Sequence, residues 1–199
     1  MSDFYLMSSK QGPRIASAFA PESTRPSHEL LADLRTVKEL PFELSLVKLT
    51  VGKDGLSRNS DMAGVDPVWL DYQPNSLAWP IFSEKLKDCL EKLLSGKEGI
   101  SWITVIIHGQ RESRTYFVPR FSNELDVLDL EKTKYVPGTD HIIKPVFSLQ
   151  KVQNYSIFHK PSSNFLWMIT PGLYVSEKVK KAIQKEKITG VDFEKTAVG

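Results

Sequence analysis

The feature that most constrains this chain is a short pattern used twice. Ile81-Phe82-Ser83-Glu84-Lys85-Leu86-Lys87 and Tyr174-Val175-Ser176-Glu177-Lys178-Val179-Lys180 carry an apolar pair, a serine, a glutamate and a lysine in the same order. A serine before a helix accepts a backbone N–H that the helix leaves unpaired, worth about 1 kcal/mol. The glutamate after it lies at the positive end of the helix dipole. Phe82, Leu86, Cys89, Leu90, Leu93 and Leu94 in one copy, and Val175, Val179, Ala182 and Ile183 in the other, form one apolar stripe at helical spacing. Each copy ends on a glycine and an apolar return, Gly99-Ile100-Ser101-Trp102 and Gly190-Val191-Asp192-Phe193. The pattern predicts the same unit twice: apolar entry, capped helix, glycine turn, strand.

The rest of the chain reads as strands in series, with helices over Ser83–Leu94 and Ser176–Glu186 and a shorter one over His28–Arg35 capped by Ser27. Strands are expected at Phe4–Met7, Phe42–Val51, Ile100–Ile107, Thr115–Arg120, Val127–Leu130, Val146–Val152, Ser156–His159 and Val191–Phe193, with Val68–Tyr72 a short strand or extended segment and Phe165–Ile169 a further candidate. Residues 11–27 read as a loop or arm. Within 42–51 the apolar positions change parity near Leu46–Val47, which predicts a bulge or a switch of face. Strands that do not alternate with helices favour an α+β fold with a mostly antiparallel sheet of seven to nine strands and two or three helices. The 199 residues suit one domain, with pseudo-repeated halves 1–110 and 111–199 sharing a core.

Composition excludes more than it selects. A net charge of +2 is no nucleic-acid signature. The densest basic run, Lys178, Lys180, Lys181, Lys185 and Lys187, reads as the solvated face of a helix. Cys89 is the only cysteine, so an internal disulfide is impossible, and it reads as a small core residue in a cytoplasmic protein. No segment approaches the roughly 18–20 apolar residues of a membrane span, and residues 1–9 do not resemble a signal peptide. Neither a phosphate-binding glycine motif nor a metal-ligand spacing is present, and no cofactor is expected. One alternative is a generic protein-interaction module; the other is an enzyme, which rests on His108 at a strand end, with Asp140, His141 and His159 as acid and base. It requires at least two of these to meet in a pocket. Trp69, Trp79, Trp102 and Trp167 read as core residues.

Two segments, Asp71–Ser83 and Gly172–Phe193, resemble bacterial immunity proteins of polymorphic toxin systems, the groups known as immunity protein 11 and immunity protein 43. The likeness lies in the aromatic-Val-Ser entry, the helix and the Thr189-Gly190 turn. It implies a non-catalytic cytoplasmic protein that binds one cognate toxin in bacterial competition. The matching positions are structural, so no binding residue carries over. The long polar stretch Gly52–Asp66, through Lys53, Asp54, Arg58 and Asp61, is the expected partner surface, because long polar loops often carry function. At +2, a neutral or acidic toxin is a more natural partner than a basic nuclease, unless a local patch reverses the balance.

Overall fold

A computed structural model describes residues 3–12, 14–52, 55–163 and 165–199. In chain order the strands are β1 (Phe4–Ser9), β2 (Ala16–Phe19), β3 (Leu44–Gly52), β4 (Gly55–Asn59), β5 (Phe82–Ser83), β6 (Ile100–His108), β7 (Ser113–Phe121), β8 (Lys134–Tyr135), β9 (Ile142–Lys144), β10 (Ile157–Phe158), β11 (Leu173–Ser176) and β12 (Val191–Lys195). The helices are α1 (Ser27–Leu30), α2 (Glu84–Glu91), α3 (Leu149–Val152) and α4 (Glu177–Lys185), with a 3₁₀ turn at Asp33–Arg35. One sheet has the order β10-β11-β1-β12. A larger one has the order β2-β3-β6-β7-β5, with β4 also on β3, and β8 and β9 form a separate two-stranded arm. Among the described strand pairs only β3 and β6 run parallel. The α+β class is as expected, but there are more strands, many of them only two to four residues long.

The repeated sequence becomes a repeated topology. β5 and β6 both run antiparallel to β7, which lies between them. β11 and β12 both run antiparallel to β1, which lies between them. Each unit is therefore a strand, a crossover helix and a second parallel strand, split by one inserted antiparallel strand. The inserted strands come from opposite sides of their units in sequence, β7 just after its unit and β1 far before. Both glycine turns have positive φ, +63° at Gly99 and +76° at Gly190. A side chain at Gly190 would meet the Tyr72 carbonyl oxygen at 2.6 Å, so glycine is required there for conformation and space alike.

Helices α2 and α4 pack on each other. Leu86, Cys89 and Leu90 from one and Val179 and Ile183 from the other share a core with Phe4, Met7, Phe121 and Phe158. Cys89 is buried there, and burial pushes its thiol up to about 11. The Lys178, Lys181, Lys185 and Lys187 side of α4 is exposed, as a solvated face should be. A second core fills the other face of the larger sheet. Ile103, Val105 and Ile107 of β6 and Tyr116 and Val118 of β7 pack there against Leu30, Leu34 and Trp79. Central β6 thus contributes to both cores, Trp102 reaching the first.

Several expected elements differ. Ser27 does not cap α1 but is its first residue, after Pro26. Residues 11–27 include strand β2. The expected bulge in β3 is absent, since its pairing with β2 is in continuous register. Instead one edge of β3 passes from β6, at Leu44 and Ser45, to β4, at Lys48–Gly52, so the burial pattern changes with the neighbour. Residues 146–152 are not a strand: Phe147 makes two isolated bridges and the chain then turns into α3. Val127–Leu130 is reduced to a bridge at Leu128 and Val68–Tyr72 to one at Tyr72. A positive φ at Phe165 and a Phe165–Met168 turn prevent a strand over 165–169.

Candidate interaction surfaces

The polar stretch expected to meet a partner is half strand. Residues 55–59 form β4, paired with β3, and of the other described residues 60–66 form a loop. Lys53 and Asp54 lie outside the described residues. Arg58 lays its guanidinium 4.3 Å from the Phe19 ring centre and 3.7 Å from Glu22. Asp61 caps its own turn by accepting the Ala63 N–H at 3.0 Å. It borders a cleft of about 740 Å³ with Met62, Trp69, Arg111 and Glu112. Arg58 lines a different, smaller hollow beside Phe19 and Glu22. The two residues therefore share a strand-loop segment but not a site.

The histidines serve separate local purposes. His108, at the exposed end of β6, bonds through Nδ1 to Ser113 Oγ at 2.6 Å and through Nε2 to the Glu43 carboxylate. His159 is fully buried. Its Nδ1 donates to the Lys160 carbonyl, its Nε2 accepts the Leu125 N–H at 3.2 Å, and its ring lies between Phe121 and Trp167. Burial lowers its pKa, and backbone contacts to Lys160 and Asn123 only partly oppose this. Such a ring is a neutral core group. Asp140 and His141 lie exposed in the β8–β9 turn, and Asp140 borders a cleft without any histidine. Two of these four groups never share a cavity among the five described clefts. No three of the described His, Cys, Asp and Glu residues stand close enough to hold a metal. Of the four tryptophans, Trp79 is buried, while Trp69 is partly open, stacked at 6.1 Å on Tyr116 beneath Arg114.

The two repeat-bearing segments meet at Asp71. Its Oδ1 accepts the Ser83 hydroxyl at 2.7 Å, and its Oδ2 accepts both the N–H and the hydroxyl of Thr189, at 2.8 and 2.9 Å. Asp71 N–H donates back to Thr189 Oγ1, and Tyr72 N–H to the Thr189 carbonyl. One carboxylate thus ties the start of α2 to the turn that follows α4. This clamp is architecture: both carboxylate oxygens are engaged by the protein's own side chains and backbone.

A further surface has no counterpart in the sequence expectations. The five exposed large apolar side chains among the described residues are Leu130, Val136, Ile143, Phe165 and Leu166. All belong to the β8–β9 arm and its base or to the 165–166 turn. Between the arm and Pro161–Ser163 lies an open cleft of about 490 Å³. Its walls include Leu130, Tyr135 and Ile142 and three carboxylates, Glu124, Asp126 and Asp140, with no lysine, arginine or histidine. The signal was in the sequence, since residues 124–144 hold five acids against three lysines in a chain of net charge +2. Reading 127–130 as a strand concealed it.

Compared with known families, residues 57–198 match the model described as "Immunity protein family (Imm11)". The matched stretch contains both strand-helix-strand units and the Asp71 clamp, and it begins within β4, after β1, β2 and all of β3. No curated protein matches the chain. No helix among the described residues is long and apolar enough to cross a membrane.

Proposed function

We infer the function from one premise: this chain belongs to the Imm11 immunity protein family. The reading is that it acts in the cytoplasm as a stoichiometric, non-catalytic inhibitor, binding one cognate protein toxin and blocking its action. Nucleic acid and membrane have no part in it. The observation that carries the reading is the family match across residues 57–198, which spans most of both cores. The histidine geometry supports it: His159 is a core group and His108 a strand-end contact, so the residues of the alternative catalytic reading do not assemble.

The decisive experiment co-expresses the chain with the toxin domain encoded beside its gene. Cells carrying both grow, cells carrying the toxin alone die, and the two proteins co-purify as a stable complex. Death of the doubly expressing cells, with the chain present and folded, overturns the reading. The β4 segment is one contact region in this picture. Alanine at Lys53, Asp54, Arg58 and Asp61 then weakens the complex about two- to threefold, as is usual for exposed polar rim contacts. Unchanged affinity removes this segment from the interface.

A further inference from the structure

We propose that the cleft between the β8–β9 arm and Pro161–Ser163 is the centre of the toxin-binding surface. Its occupant is a protein segment in which lysine or arginine flanks a protruding aliphatic or aromatic side chain. The proposal rests on the immunity reading and specifies its surface and partner chemistry.

Three observations converge on this cleft. The first is apolar exposure. Leu130, on the cleft wall, is 65% exposed, and Ile143, elsewhere on the arm, is 63% exposed, a cost that a chain with two well-filled cores does not need to bear for folding. Clustered exposed apolar side chains mark interaction sites, whereas scattered ones do not. Phe165 is already covered on one face by the Arg35 guanidinium at 3.9 Å, so the free apolar surface centres on the arm.

The second is charge. Asp126 is paired with Lys151 at 2.7 Å, but Glu124 and Asp140 have no ion-pair partner among the described residues. Glu124 uses one oxygen to accept the Ser162 N–H at 2.9 Å. Two uncompensated carboxylates beside an apolar wall suit a cationic partner and repel an acidic one. The larger cleft at Trp69 has no such sign preference, because Arg111 stands beside Glu112 and Asp61. The local field therefore reverses what the net charge of +2 implies, and a basic toxin surface is the complementary one.

The third is a fixed geometry. At the base of the arm Thr133 is buried; its hydroxyl donates to the Val146 carbonyl at 3.1 Å and accepts the Val146 N–H at 3.2 Å. On the opposite wall the Glu124–Ser162 bond holds the ridge. Both walls are thus set before a partner arrives, which lowers the ordering cost of binding.

The test measures binding of the purified toxin domain from the neighbouring gene at about 50 and 300 mM salt, by titration calorimetry. The expected result is that the unaltered chain binds and weakens with salt. Asp140→Lys with Glu124→Lys lowers affinity at least about tenfold, and that affinity no longer falls with salt. Leu130→Asp lowers affinity to a similar extent. Leu130 and Asp140 are exposed, so Leu130→Asp and Asp140→Lys alone decide the matter if the Glu124 change disturbs folding. Cleft variants that bind like the unaltered chain overturn this surface and leave the immunity reading standing. An unaltered chain that does not bind overturns both.

Discussion

Ser83 accepts the Leu86 N–H at 3.2 Å and donates its own proton to Asp71, whereas Ser176 accepts no N–H from its helix. Two serines in the same sequence context therefore carry different energies. Ser83→Ala should cost about 1–2 kcal/mol and Ser176→Ala under about 0.5 kcal/mol, both read from urea unfolding. The cap at Ser83 was legible in its Ser-Glu context; the missing bond at Ser176 was not, because it depends on the neighbouring strands. There Ser176 N–H donates to the Ser156 carbonyl and Glu177 N–H to the Asp3 carbonyl. His159 yields a second residue-scale prediction. Burial holds its folded pKa below the ordinary value of 6.5, so near that pH the unfolded chain takes up a proton that the folded chain refuses. Its contribution is complete above the unfolded pKa and is lost as pH falls through it toward the folded value. His159→Phe should flatten that part of a stability-against-pH curve measured by thermal unfolding.

Among the elements, the Asp71 clamp decides how the two crossover units fit together. Asp71→Ala leaves the Thr189 N–H and the Ser83 hydroxyl without their acceptor and should cost about 2–3 kcal/mol. A double-mutant cycle with Thr189→Val should give a coupling above about 0.5 kcal/mol, since the Thr189 hydroxyl donates directly to the Asp71 carboxylate. Additive effects would show that the contact carries no energy. The helices of both units were legible because caps, stripes and glycines are local signals. The clamp was not, although both of its partners lie in segments singled out by the sequence; no period or spacing reports that residues 71 and 189 touch. Short strands were hidden for a related reason. β8, β9 and β10 have two or three residues, too few to show an alternation, and are strands only because another segment pairs with them. Glu98 illustrates the same dependence. Burial pushes its carboxyl up, but backbone N–H groups of Ser95 and Ser156 outweigh this and the net direction is down. The Ser156 contact spans 58 residues, which no local reading of the Gly96–Gly99 turn supplies.

For the molecule as a whole, we propose that residues 1–199 unfold as one domain. The first core draws on both units, and each unit takes its middle strand from the other side of residue 110: β7 for the first, β1 for the second. Fluorescence and circular dichroism should report coincident unfolding transitions. Fragments 1–110 and 111–199, made separately, should each lack a cooperative transition. A sharp melt from either fragment would refute the single domain. The candidate partner surface belongs to this scale too. The polar 52–66 stretch was conspicuous by composition, yet the acidic and apolar cleft arises only when residues 124–126, 130–142 and 161–163 are brought together.

The place of β1 has a consequence for timing. Phe4–Ser9 is made well before both its neighbours, Leu173–Ser176 and Val191–Lys195. During synthesis its unpaired edges must wait for more than 160 further residues, at about 5–20 residues per second. The smaller sheet therefore closes only as Lys195 clears the ribosome, where its ammonium meets Asp3 at 2.9 Å. Until then the nascent chain is a strand short, and only chains made through β12 carry the whole four-stranded sheet.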